Sequence, residues 1–195
     1  MSEAVSAPDA PVKEPPAPRP PTRELLPSGR VAAVVALAGI ALLVTSFADF
    51  GLSGRALVGA VLCPALVLLG AIDFKHHLLP NDIVLPAALL IGLIVAVSDP
   101  GDFLAHLAAG TALGLFFFAF ALIFAGSLGL GDAKVGFLLG LALGSRTLTA
   151  VMVALIGLLL AALWILATQG LSARKKAIPF GPFLALGGIL AFFFG

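Results

Sequence analysis

The chain has 195 residues, of which 61% are hydrophobic and 11% charged, and a mean hydropathy of +1.16. A soluble globule carries about a quarter charged residues, so this composition excludes one and indicates an integral membrane protein of several spans. A net charge of +1 with no clustered basic face sets aside nucleic-acid binding, and a single cysteine, Cys63, rules out an internal disulfide and a multi-cysteine zinc site.

Residues 1–28 hold more than half of the fourteen prolines and almost no large apolar side chains before Leu25. Such a segment cannot bury enough surface to offset its ordering entropy, so a disordered, Pro-rich cytoplasmic tail is expected there, with the membrane domain running over 29–195. It is not read as a signal peptide, because the apolar run begins only after Arg30 and other spans follow. Seven apolar segments then succeed one another, at about 31–48, 55–72, 83–98, 103–126, 133–145, 148–168 and 178–194. The fold class is therefore all-α, a polytopic bundle of about seven transmembrane helices. A span needs roughly 20 residues to cross about 30 Å of hydrocarbon. The fifth segment falls short of that, and its start, at Asp132, is drawn toward the membrane interior.

Lysine and arginine counts orient the chain. With the tail in the cytoplasm, Lys13, Arg19, Arg23, Arg30, Lys75, Lys134, Arg174, Lys175 and Lys176 lie inside, and Arg55 and Arg146 lie outside. The same alternation puts Asp73, Asp82 and Asp132 on the cytoplasmic side, and Asp49, Asp99 and Asp102 outside.

Two of the inner acids carry the chemistry. Asp73 ends the second span and Asp132 ends the turn Gly129-Leu130-Gly131 that opens the fifth. An ionisable residue near hydrocarbon costs a few kcal/mol or more and marks a functional site by default. A single one would equally suit a loop end among lipid headgroups; the pair is what favours chemistry. Each aspartate is followed two positions later by a lysine, Lys75 or Lys134, about 200° around a helix, so neither lysine need neutralise its neighbour. Two carboxylates a few ångströms apart resist double ionisation and hold one shared proton. One member can then act as base on a water and the other as acid. Gly129 and Gly131, lacking a Cβ, let an extended substrate strand approach Asp132, and irregular backbone at membrane depth is tolerated where it lines a cavity.

Three stretches, Asp73-Phe74-Lys75-His76-His77-Leu78-Leu79-Pro80-Asn81, Gly129-Leu130-Gly131-Asp132-Ala133-Lys134 and Ala177-Ile178-Pro179-Phe180-Gly181-Pro182, resemble the membrane core of type IV prepilin leader peptidases, aspartic proteases of the GxGD type. The resemblance covers roughly residues 55–194, a six-helix protease core preceded here by one further span. It implies that Asp73 and Asp132 are the catalytic pair and that the substrates are prepilins or pseudopilins, cut after a leader glycine at the cytoplasmic face of a bacterial inner membrane. No cofactor or metal is expected, since the chain has a single cysteine and His76 and His77 have no partner at metal spacing. Family substrates carry a glutamate shortly after the cut, which Lys75 or Lys134 is placed to meet; snorkelling to lipid headgroups is the plain alternative for both. Gly129, Gly131, Pro179 and Gly181 are the further substrate-groove candidates, with a structural bend the alternative for the two in the last stretch. Asn81 stands where an aspartate is common and is read as structural, Asp82 as an exposed loop acid, and His76 and His77 as solvated loop residues. Long family members carry paired cysteines in an N-terminal cytoplasmic domain associated with methyl transfer; here a proline-rich tail and a span stand in its place, so N-methyltransferase activity is left unassigned.

Three other readings compete. A presenilin-like protease places Pro-Ala-Leu after both aspartates, whereas Pro64-Ala65-Leu66 precedes Asp73. A rhomboid-like serine protease is suggested by Gly51-Leu52-Ser53-Gly54 with His106, though Ser53 falls in a tight outer turn. A proton-coupled transporter could use Asp73 and Asp132 as a relay, but these acids gather at one face and not at the midplane.

Overall fold

The computed structural model describes residues 20–123, 129–170 and 178–195, and every described element is helical. A short helix α1 (Thr22–Leu25) precedes seven longer ones: α2 (Gly29–Phe50), α3 (Gly54–His76), α4 (Asn81–Ser98), α5 (Phe103–Ile123), α6 (Leu130–Leu143), α7 (Thr147–Gln169) and α8 (Gly181–Phe194). The seven long helices fall on the seven apolar segments. Glycines with positive φ close α2 at Gly51, α6 at Gly144 and α7 at Gly170. Residues 1–19 of the expected tail lie outside the described residues. Its remainder departs from a solvated chain, because α1 packs back on the bundle and buries Leu25.

α3 and α6 form the centre. α3 packs on α2, α4 and α8, and α6 on α5, α4 and α8. Ten of the fourteen residues of α6 are buried, so this helix, about 21 Å long, is enclosed by protein and need not match the bilayer by itself. Its closest partner is α5, where Gly110 lies directly against Gly140 and Gly114 against Phe137. Lipid is as apolar as leucine, so helix association in a membrane depends on such close backbone packing by small residues. Outward-facing leucines and valines on α2, α4 and α7 remain exposed, as lipid-facing side chains must. Cys63 is fully buried. Pro64 stays within α3 and packs against Gly39 of α2.

The end of the bundle away from the aspartates is fastened by Arg55. Its guanidinium lies 4.0 Å from the centre of the Phe50 ring and 5.6 Å from that of Phe192, and its Nη2 donates to the Phe192 carbonyl at 2.6 Å. A cation at a helix C-terminus satisfies carbonyls left without an intrahelical partner. Arg55→Met is expected to remove roughly 2 kcal/mol of stability. Thermal unfolding in detergent checks this, and an unchanged midpoint would contradict it.

Candidate active site

α3 runs toward one end of the bundle and α6 starts there, so Asp73, in the last turn of α3, and Asp132, in the first turn of α6, both lie at that end although 59 positions separate them. Among the described residues they are two of the four buried polar side chains, 6% and 7% exposed, and Asp132 lies within reach of the Asp73 charge.

Each carboxylate is held by one backbone N–H. Gly181 N–H donates to Asp73 Oδ2 at 2.9 Å, and Gly129 N–H donates to Asp132 Oδ2 at 3.0 Å. The Asp132 N–H in turn donates to the Gly129 carbonyl at 3.0 Å, closing a tight reciprocal cap at the start of α6. The other oxygen, Oδ1, of each acid has no hydrogen-bond partner among the described residues. The arrangement fixes two carboxyl groups in place and leaves one oxygen of each available.

Local chain chemistry explains the placement. After Asp73 the chain must leave α3, and it does so through His77 in the left-handed conformation, φ 51°, with its N–H donating to the Asp73 carbonyl at 2.9 Å. On the other side, Pro182 sits in the first turn of α8, where its missing N–H costs nothing. The free N–H groups of that turn include Gly181, which is the one aimed at Asp73.

The remaining sequence candidates divide. Lys134 is half-buried and donates to Asn81 Oδ1 at 2.6 Å, which ties α6 to the start of α4 and gives Asn81 its structural partner. Lys75 is exposed at the end of α3. Gly129 is exposed, and Gly131 lies against the Leu79 side chain. Gly181 contacts Asp73 directly. Pro179 helps line an apolar cavity of about 410 Å³ with Phe74, His77, Pro182 and Phe183, next to the Asp73 end of α3. His76, read from the sequence as a solvated loop residue, instead ends α3 with Nε2 buried and without a partner among the described residues. Among the described residues, no group of three or more His, Cys, Asp or Glu is clustered as a metal site. At the opposite end, Ser53 caps α3 by accepting from the Ala56 N–H at 3.2 Å, and His106 Nδ1 bonds the Leu141 carbonyl at 2.8 Å, so both have local structural roles. Arg174, Lys175 and Lys176 lie outside the described residues.

Sequence reasoning listed Gly181 for the substrate groove and missed its bond to Asp73. The available signal was a Pro-Phe-Gly-Pro start to an apolar helix, which promises unpaired N–H groups near membrane depth.

The family model described as "Type IV leader peptidase family" matches residues 60–166, a stretch that contains both aspartates. The chain is 35% identical over 176 residues to a prepilin leader peptidase/N-methyltransferase of Burkholderia pseudomallei, covering 87% of this chain and 56% of that protein. It is 30% identical over 148 residues to the protein of that name from Bacillus subtilis, covering 75% and 59%. A third such relative, from Xanthomonas campestris pv. campestris, is 29% identical over 162 residues, covering 79% and 55%. The chain thus spans somewhat more than half the length of these relatives. No solved structure matches. With just over half of its residues under that single family model, the chain belongs to the type IV leader peptidase family.

Proposed function

We propose that this protein is an aspartic endopeptidase that removes the leader of type IV prepilins or pseudopilins at the cytoplasmic face of a bacterial inner membrane. The observation that supports the reading is two buried carboxylates brought to one end of the bundle, each pinned through Oδ2 by a glycine N–H and each with Oδ1 unpartnered among the described residues.

The chemistry follows from that geometry. A water between the two Oδ1 atoms gives a proton to one carboxylate while its oxygen attacks the scissile carbonyl carbon. The protonated partner donates to the carbonyl oxygen as it gains charge. Collapse of the tetrahedral intermediate expels the amine, which takes a proton from the carboxyl that had accepted one. No cofactor or metal takes part. The site lies at one end of the bundle, which suits a substrate cut near the membrane surface. A transporter would place its acids near the midplane, between discontinuous helices. Gly129 and Leu130 are exposed beside Asp132, and the first-turn N–H groups of Leu130 and Gly131, which have no intrahelical acceptor, are the edge offered to an extended leader. The relatives' names also include N-methyltransferase; methyl transfer is not part of this proposal.

The direct test is to reconstitute the protein with a membrane-embedded prepilin and read the product's amino terminus by mass spectrometry. A new terminus immediately after the leader glycine is expected. Intact prepilin together with proton or solute flux in the same vesicles would favour the transporter.

Lys75, exposed next to the dyad, is proposed to meet the acidic side chain of the substrate. Lys75→Glu should raise KM roughly ten-fold and leave kcat nearly unchanged, since charge opposition at an exposed rim acts on encounter and binding. Equal KM values for the two proteins would remove Lys75 from the substrate site.

A further inference from the structure

The segment ahead of the first long helix lies outside the stretch matched by the family model, and the proposed reaction does not use it. Yet it is packed onto the active-site end. The Thr22 hydroxyl donates to Asp82 Oδ2. Pro20, Pro21 and Leu25 face Leu78, Leu79 and Pro80 across a cavity of about 220 Å³. Leu25 is 6% exposed although it sits in a helix of four residues. A helix that short has no stability of its own, so its contacts hold it in place.

The loop it touches leads to Asp132 by two routes. The Leu79 side chain lies against Gly131, and Asn81 Oδ1 accepts the Lys134 ammonium at 2.6 Å. The opening turn of α6 needs such bracing, because Gly129 and Gly131 have no side chains with which to anchor it. From this chain of contacts we infer that residues 20–26 form a strap that positions Asp132. Thr22 and Leu25 hold the 78–82 loop, and the loop holds the first turn of α6. Thr22, Leu25 and Asp82 are thereby positioning residues, acting on Asp132 only through the 78–82 loop. The catalytic consequence rests on the peptidase reading; the structural one does not.

Two readouts test it on the full chain in detergent or vesicles, with all variants compared at matched helicity. Thr22→Val removes the hydroxyl and keeps the volume, Leu25→Ala removes the buried contact, and Thr22→Ser restores the hydroxyl. Thr22→Val and Leu25→Ala should each lower kcat about five-fold with KM unchanged. Thr22→Ser should recover wild-type kcat, and Thr22→Val with Asp82→Asn should be no slower than either alone. Without any substrate, amide hydrogen exchange over residues 129–136 should quicken by a similar factor in Thr22→Val. Leu52→Ala, in the 96%-exposed turn residue between α2 and α3, should match wild type throughout. Wild-type exchange over 129–136 in both Thr22→Val and Leu25→Ala would overturn the strap, as would an effect carried wholly by KM. If the wild-type protein cleaves nothing while exchange still quickens in Thr22→Val, the peptidase reading fails and the strap stands.

Discussion

Asp73→Asn and Asp132→Asn are each expected to lower leader cleavage by on the order of 10⁴-fold, the upper range for losing a positioned acid or base. Asparagine has the shape of aspartate and keeps an oxygen able to accept from the Gly181 or Gly129 N–H, so the fold and the anchoring bonds should survive. What is lost is the group that takes or gives a proton. In the proposed reaction the two carboxyls act as a unit, so the double variant should be no slower than either single one. Product termini formed from a membrane-embedded prepilin over a fixed time give the measurement. Cleavage within ten-fold of wild type by either variant would remove that residue from the mechanism.

Gly181→Ala should cost about 100-fold in kcat, the scale of a 1 Å misplacement at a reacting group. A Cβ added there would lie 2.6 Å from Asp73 Oδ2 and 2.8 Å from its Cβ and Cγ, closer than non-bonded carbon or oxygen atoms approach. Since α3 and α8 are packed along their lengths, the carboxyl must yield. The Gly181 N–H remains in the variant, so the effect isolates displacement from loss of the bond. KM should move little. Gly101→Ala, in an exposed turn where an added Cβ meets nothing within 4 Å, is the control and should leave kcat as it is. Equal rates for Gly181→Ala and wild type would mean that Asp73 tolerates displacement and that its present position is not the working one.

The helices and the placing of two acids at one end of the bundle were legible in the sequence for different reasons. Helices were legible because lipid demands uninterrupted apolar runs, and glycine and proline punctuate them: Gly51, Gly144 and Gly170 all sit at helix ends with positive φ. The short α6 was visible as a run of too few residues, and its enclosure by α4, α5 and α8 explains how it persists. Asp73 and Asp132 stood out because charge at membrane depth is costly. The supporting contacts were not visible. The bond from Gly181 to Asp73 spans 108 positions, and that from Lys134 to Asn81 spans 53; each depends on which helix faces which, a matter of packing that hydropathy does not encode. The same holds for Thr22 and Asp82, 60 positions apart. A Pro-rich composition predicts solvation, and it could not reveal that one threonine and one leucine within it find partners on the 78–82 loop. Arg55 was read only as a topological marker on the outer side, whereas it binds the end of α8 through Phe192.

Peptide cleavage by this pair requires that the Asp73 and Asp132 side chains face a common space. That requirement is tested most directly by a chain carrying Asp73→Cys and Asp132→Cys with Cys63→Ala, treated in membranes with dibromobimane, which fluoresces when it bridges two nearby thiols. The account predicts an intramolecular adduct from the double-cysteine protein and none from either single-cysteine protein. Absence of the adduct, with both thiols taking up monofunctional bimane, would contradict it.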